Sequence, residues 1–284
     1  MGKELLNKLS GFLLILLFLV GGALVAYPTL SNYYNEKMQG EIISGYQNEV
    51  GVLSEEEKEE ILEKARIYNE DLVGNVVLTD PFNIEGLDNQ NTEYEELLNP
   101  FNDGMMGYID IPDIDVYLPI YHGTNDDTLK TSVGHLMNTS LPVGGTGSHA
   151  VLSAHSGLPS AKLFTNLDLL EKGDVFYIDI VGEIFAYEID QIKVVEPHEI
   201  DDLLIDIDKD FVTLVTCTPY GINSHRLLVR GVRVPYTEEE KERISTEKEK
   251  EGWPKIWLLI PIAMIVVTAV IVAIRKKKRQ GYED

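Results

Sequence analysis

FVTLVTC, residues 211–217, and HRLLVRGVRV, residues 225–234, are two β-rich runs separated by TPYGINS at 218–224. Runs rich in β-branched residues and bounded by Pro, Gly, Asn or Asp read as strands. Five more of the same kind precede them: MGYIDI (106–111), VYLPIYH (116–122), HAVLSAH (149–155), VFYIDI (175–180) and IFAYEIDQIKVV (184–195). Seven short runs at close intervals predict a mainly β domain, a closed barrel or a sandwich. Short helices are expected around Asp126–Met137, Ala161–Leu170 and Glu199–Leu204, where the pattern lengthens to the helical period. The chain shows no internal repeat.

Upstream of the strands, SEEEKEEILEKARIYNED (54–71) predicts a helix. Ser54 stands at the N-cap and Glu57 at the capping-box position, and acidic residues fill the first turn. Ile61, Leu62, Ala65 and Tyr68 recur at helical spacing and form the face that packs on the body. Residues 72–105 keep no period and carry Gly74, Pro81, Gly86, Pro100 and Gly104, so they read as an irregular covering segment. Within it lies Asp80-Pro81-Phe82: Pro81 fixes its own backbone and restricts Asp80 to extended conformations, and Phe82 needs a surface to pack against.

Both ends of the 284-residue chain are apolar. GFLLILLFLVGGALVAY (11–27) carries no charge and follows Lys3 and Lys8; its length spans a hydrocarbon core of about 30 Å. The small residues Gly21, Gly22, Ala23 and Ala26 also fit a cleaved signal peptide, and an uncleaved anchor is the preferred reading. Residues 256–274 form a second apolar stretch, followed by Arg275, Lys276, Lys277, Lys278 and Arg279, a cluster that stays cytoplasmic. The expected layout is a cytoplasmic N-terminus (1–10), an anchor or signal (11–27), a helix and covering segment (28–105), a catalytic β-domain (106–235), a charged spacer (236–255), a transmembrane helix (256–274) and a basic cytoplasmic tail (275–284). Both termini then lie inside and the β-domain outside. The net charge of −23 understates the acidity of that exterior portion, which lacks the basic stripe nucleic-acid binding requires.

Cys217 is the only cysteine, so no internal disulfide forms and the core must hold the fold. The thiol is either an inert buried residue or a reactive one. Its position at a strand end favours reactivity, because the sheet holds it while the sulfur faces loops. Attack on an amide then needs a nearby base or cation. His155 and Arg226 both lie at strand ends that a barrel brings towards Cys217. The first can shuttle a proton and the second can stabilise an oxyanion. His122, His135, His149, His198 and His225 read as surface or core residues; His225 adjoins Arg226 and so points to the opposite face of its strand. No histidine or cysteine has the paired spacing of a zinc site, so no metal is expected.

TLVTCTPYGINSHRLLVRG around Cys217 and Arg226, with HAVLSAHSGLP around His155, resembles the sortase signature, specifically that of the class C, pilin-polymerising sortases. The resemblance covers residues 106–235. It implies a sortase-type closed eight-stranded β-barrel with short helices, an N-terminal helical and lid segment, and flanking transmembrane helices. It implies Cys217 as nucleophile, His155 as general acid and base, Arg226 as stabiliser of oxyanion or substrate, and Thr216 in support. Class C enzymes resemble one another in a lid with an Asp-Pro-aromatic motif, so Asp80, Pro81 and Phe82 would form the lid, with Asp80 paired to Arg226 and Phe82 over Cys217. The implied reaction cleaves an LPXTG-like signal at Thr-Gly through a thioester and passes it to a pilin lysine, with no cofactor. The alternatives are a cysteine peptidase, with water as acceptor, and a non-enzymatic surface adhesin. Leu141-Pro142-Val143-Gly144-Gly145 lacks the Thr of a sorting signal and reads as a glycine-rich turn.

Overall fold

The computed structural model describes residues 2–72, 78–82 and 92–237. The second apolar stretch, the basic tail and the spacer beyond 237 lie outside these residues. Eight strands, β1 (Met105–Ile111), β2 (Val116–His122), β3 (Val133–His135), β4 (Ser148–Ser153), β5 (Val175–Ile180), β6 (Glu183–Val195), β7 (Asp210–Thr218) and β8 (His225–Val234), close into a barrel. Their order around it is β1-β2-β3-β4-β7-β8-β6-β5. The β2–β3 and β4–β7 pairs are parallel and the others antiparallel. Closure leaves no sheet edge unpaired, and the barrel, not the sandwich, is the architecture formed.

Each of the seven β-rich runs becomes a strand. The eighth, β3, is too short to show a period, and it corrects the helix expected over 126–137. Only α4 (Asp126–Leu129) is helical there, capped by the Asn125 side chain accepting from Thr128 N at 3.0 Å. At Gly134 a Cβ would stand 2.3 Å from Gly123 O, so this residue lets the chain return to the sheet in close contact with the β2–α4 turn. The helices expected over 161–170 and 199–204 are likewise reduced to 3₁₀ turns, Leu167–Leu169 and Asp201–Leu203. In the first, Leu163 adopts a positive φ of 43°, which breaks a continuous helix.

Strand alternation sorts side chains onto two faces. Ile109, Leu118, Leu152, Ile178, Leu214 and Val229 belong to the main core. Their neighbours Val151, Val215 and Leu228 face the other way and join Leu136, Val195 and Leu203 in a second apolar cluster, the floor on which Leu78 and Phe82 pack.

Helix α1 (Gly2–Val50) contains residues 11–27 and runs on without interruption through Pro28. Its Leu9–Val25 stretch is exposed and apolar, and this helix is long and apolar enough to cross a membrane. From Ser31 onwards it is fastened to the barrel. Ser31 and Asn35 donate to Ser160 O, Gln39 donates to Thr131 O, and Tyr46 donates to Met106 O at 2.8 Å while accepting from Val181 N at 3.0 Å. Helix α2 (Glu55–Leu72) starts in the expected capping box. Ser54 N reaches Glu57 Oε2 at 2.8 Å, and Glu57 N reaches Ser54 Oγ at 3.3 Å. Leu62 and Ala65 are buried, as is Asn69, whose amide exchanges two hydrogen bonds with the Leu141 backbone at 2.7 and 3.0 Å. Leu141 opens the glycine-rich turn, in which Gly144 and Gly145 take positive φ. Beyond the covering segment, α3 (Thr92–Glu96) buries Tyr94 against His122 and His135.

His135 and His149 are held as neutral rings. In His135, Nε2 faces Ser140 O at 2.9 Å and Nδ1 faces the Tyr94 hydroxyl at 2.8 Å; in His149, Nδ1 faces Leu204 O at 2.9 Å and Nε2 faces Thr213 Oγ1 at 2.7 Å. Each ring has a carbonyl acceptor at one nitrogen and a hydroxyl at the other, with the Thr139 hydroxyl also 3.2 Å from His135 Nε2, a set that the neutral tautomer satisfies. Burial pushes both from 6.5 down to about 4. Between those values the unfolded chain binds more protons, so the stability contributed by the neutral rings is full above pH 6.5 and is lost as pH falls towards 4. At pH 5 the loss is about 2 kcal/mol per ring. Thermal melting should therefore drop clearly between pH 7 and pH 5, and His149→Gln should remove about half of that drop; a melting point independent of pH would contradict this account.

Candidate active site

The site is assembled by three strands' worth of backbone bonding. In the β7–β8 ladder Cys217 lies directly opposite Arg226, so both side chains project on one face, the face of the apolar floor. His155 is not on a strand as expected from HAVLSAH: β4 ends at Ser153 and His155 follows two residues later. Its segment is nevertheless stitched to β7. Ala154 N donates to Val215 O at 3.2 Å, Thr216 Oγ1 donates to Ala154 O at 2.7 Å, and Ser156 Oγ donates to Cys217 O at 2.6 Å. The β4–β7 register, which pairs Ser153 with Val215, thereby continues towards His155 and Cys217. Ser156 escaped the sequence reading, since a serine after a histidine carries no pattern of its own.

Asp80 brings the covering segment into the same place. Its carboxylate accepts from Arg226 Nε at 2.8 Å and from Nη2 at 2.5 Å, a bidentate pair whose two side chains are each 11% exposed. Such forked pairs fix geometry as well as charge. Asp80 Oδ1 also accepts from Phe82 N at 3.3 Å, closing a tight turn around buried Pro81. The Phe82 ring then packs 5.6 Å from the His155 ring, centroid to centroid, with the Arg226 guanidinium 5.1 Å from its centre. The remaining Arg226 nitrogen, Nη1, donates to Asn223 O and His225 O. Every donor nitrogen of Arg226 is thus engaged.

Charge in this closed arrangement is suppressed. Burial, reinforced by Asp80, pushes the Cys217 thiol above its usual range, while Arg226 opposes the shift. Burial, with Lys130 adding to it and Asp126 opposing, pushes His155 below the usual imidazole range. The site at neutral pH therefore holds a thiol and a neutral imidazole. A thiol needs deprotonation to attack a carbonyl, and a neutral imidazole is able to take that proton.

The other histidines sit elsewhere. His225 hydrogen-bonds Ser224 Oγ at 2.8 Å, His122 lies between Gly104 O and Leu97 O, and exposed His198 lies 3.4 Å from Glu196.

Comparison with known proteins is consistent with this geometry. A family described as the Sortase domain matches residues 109–234. Sortase C1 of Streptococcus agalactiae is 43% identical, with a TM-score of 0.64 over 69% of this chain and 100% of that one. Sortase C of Streptococcus pneumoniae is 41% identical, with a TM-score of 0.61 over 69% of this chain and 98% of that one. A lid mutant of sortase A from Corynebacterium diphtheriae is 42% identical, with a TM-score of 0.60 over 66% of this chain and 100% of that one. This chain belongs to the sortase family, as a class C sortase and hence a cysteine transpeptidase.

Proposed function

We propose that this transpeptidase cleaves an LPXTG-like sorting signal between Thr and Gly and joins the new acyl end to a lysine of a pilin subunit. The observation that carries the reading is the pairing of Cys217 with Arg226 across β7–β8, with the His155 segment bonded alongside. The S. pneumoniae relative, whose substrates are pilins, supports the choice of partner.

Cys217 Sγ attacks the threonine carbonyl carbon and its proton passes to His155. Arg226 faces the oxyanion of the tetrahedral intermediate, where a fixed cation favours the transition state over the ground state. The C–N bond breaks, His155 gives the proton to the departing glycine amine, and a thioester remains. A lysine ε-amine, as the free base, then attacks the thioester carbonyl. Its surplus proton leaves through His155, the C–S bond breaks, and the Cys217 thiol is restored beside an isopeptide bond. Thr216 supports these steps by fixing the backbone that leads to His155. Only protein groups enter this scheme, so no cofactor is required.

In the resting enzyme Asp80, Pro81 and Phe82 act as a lid. Asp80 occupies the donors of Arg226 that the oxyanion needs, and Phe82 covers His155. Helix α1 anchors the barrel to the cell membrane, with the barrel on the extracytoplasmic side.

Incubating the protein with a signal peptide and a lysine-bearing acceptor should give a ligated product; hydrolysis alone would turn the reading to a peptidase. Cys217→Ala should lower the rate roughly 10³-fold or more, and Arg226→Ala about 10²- to 10³-fold. Replacing Asp80 and Phe82 together with Ala removes a group that raises the Cys217 pKa and leaves Arg226, which lowers it. Labelling of Cys217 by a small thiol reagent should then accelerate on the order of tenfold, and its midpoint should move to lower pH. Unchanged labelling would sink the lid.

A further inference from the structure

Ser153, the last residue of β4, is fully buried, and its hydroxyl has no hydrogen-bond partner among the described residues. Four buried hydroxyls around it, on β7 and on the chain from β3 to β4, are bonded. Thr139 donates to Leu136 O, Ser140 accepts from His149 N, Thr213 meets His149, and Thr216 donates to Ala154 O. A buried hydroxyl left alone is costly, and native structures seldom tolerate one without a use.

The position of Ser153 indicates that use. In the parallel β4–β7 ladder it pairs with Val215, so its side chain shares the face of Val215 and of Val151, two residues earlier on its own strand. Both valines belong to the floor on which Leu78 and Phe82 pack. Two residues beyond Val215 on the same face lies Cys217, and two residues beyond Ser153 lies His155. Ser153 is therefore a polar residue among the apolar residues of that floor, one strand repeat behind the reacting pair. The resting occupants Leu78 and Phe82 bring apolar side chains to that floor, to which a hydroxyl cannot bond. An extended peptide in their place brings alternating N–H and C=O groups, and a serine hydroxyl can accept from one or donate to the other.

We propose that Ser153 is a positioning residue whose hydroxyl hydrogen-bonds the backbone of the sorting signal on the acyl side of the scissile bond, a contact that none of the described lid residues makes. This contact distinguishes a peptide from the described lid residues: none of these bonds the hydroxyl, and the bound peptide does. The proposal rests on the sorting-signal reading above.

The test uses the full-length protein, in a native and an Asp80→Ala/Phe82→Ala background, with an LPXTG peptide and a set of analogues in which one backbone amide at a time becomes an ester. Ser153→Ala should raise KM about five- to tenfold with kcat within about twofold, in both backgrounds. One ester analogue should lose a similar factor with Ser153 present and none in Ser153→Ala, the signature of a direct pair. Its melting point should not fall, since no protein bond is removed. An unchanged KM in Ser153→Ala overturns the proposal while leaving the transpeptidase reading intact. Equal ester losses with and without the hydroxyl, or a raised KM accompanied by a lowered melting point and no ester dependence, assign Ser153 to structure and also overturn it. Absence of any turnover in the Asp80→Ala/Phe82→Ala enzyme defeats the sorting-signal reading instead, and the proposal with it.

Discussion

The register that sets Cys217 opposite Arg226 is the constraint on which the rest of the site depends. A slip of one residue would turn one of the two side chains to the barrel interior. Three features hold the register. The closed barrel gives β7 and β8 a second neighbour each, β4 and β6. The interior residues Leu214 and Val229 pair in the same ladder and are buried in the core. The bonds from Ala154, Thr216 and Ser156 then carry the register of β7 over to the segment bearing His155. The side chains are brought to one face by ordinary strand geometry, and the core supplies the rigidity that catalysis requires.

The Asp80–Arg226 pair acts on this frame electrostatically as well as sterically. A cation next to a thiol favours the thiolate, and a carboxylate bonded to that cation cancels part of the effect. Burial of the thiol is the larger part of the suppression. The site is thus both covered and chemically quiet in this arrangement. An exposed thiolate is open to oxidants; this arrangement presents a buried thiol instead.

Much of this was legible along the chain because it is local. The seven β-rich runs announced themselves by composition, and the Ser54–Glu57 box by spacing. Cys217 and Arg226 were legible through strand-end placement and family resemblance together. What was not legible depends on contacts between distant segments. Strand β3 has three residues and exists because β2 and β4 pair with it on either side. Asn69 looked like one more polar residue of a surface helix, yet it is buried because the Leu141 backbone lies 72 positions away in sequence and alongside in space. The turns around Leu163 and Leu203 carry helical spacing, but packing overrides it. Ser156 and Ser153 differ in function only through what lies next to them, which no pattern in HAVLSAHSG records.

Helix α1 joins an exposed apolar stretch to a barrel with no break between them, and hydrogen bonds from Ser31 to Tyr46 fasten it along the wall. Forty-nine helical residues extend about 74 Å at 1.5 Å each. With the apolar end in a bilayer, such a helix would act as a mast and not a tether, setting the height of the barrel above the lipid. A flexible leash would let the barrel sample many heights; a continuous helix would hold Cys217 at one level above the surface.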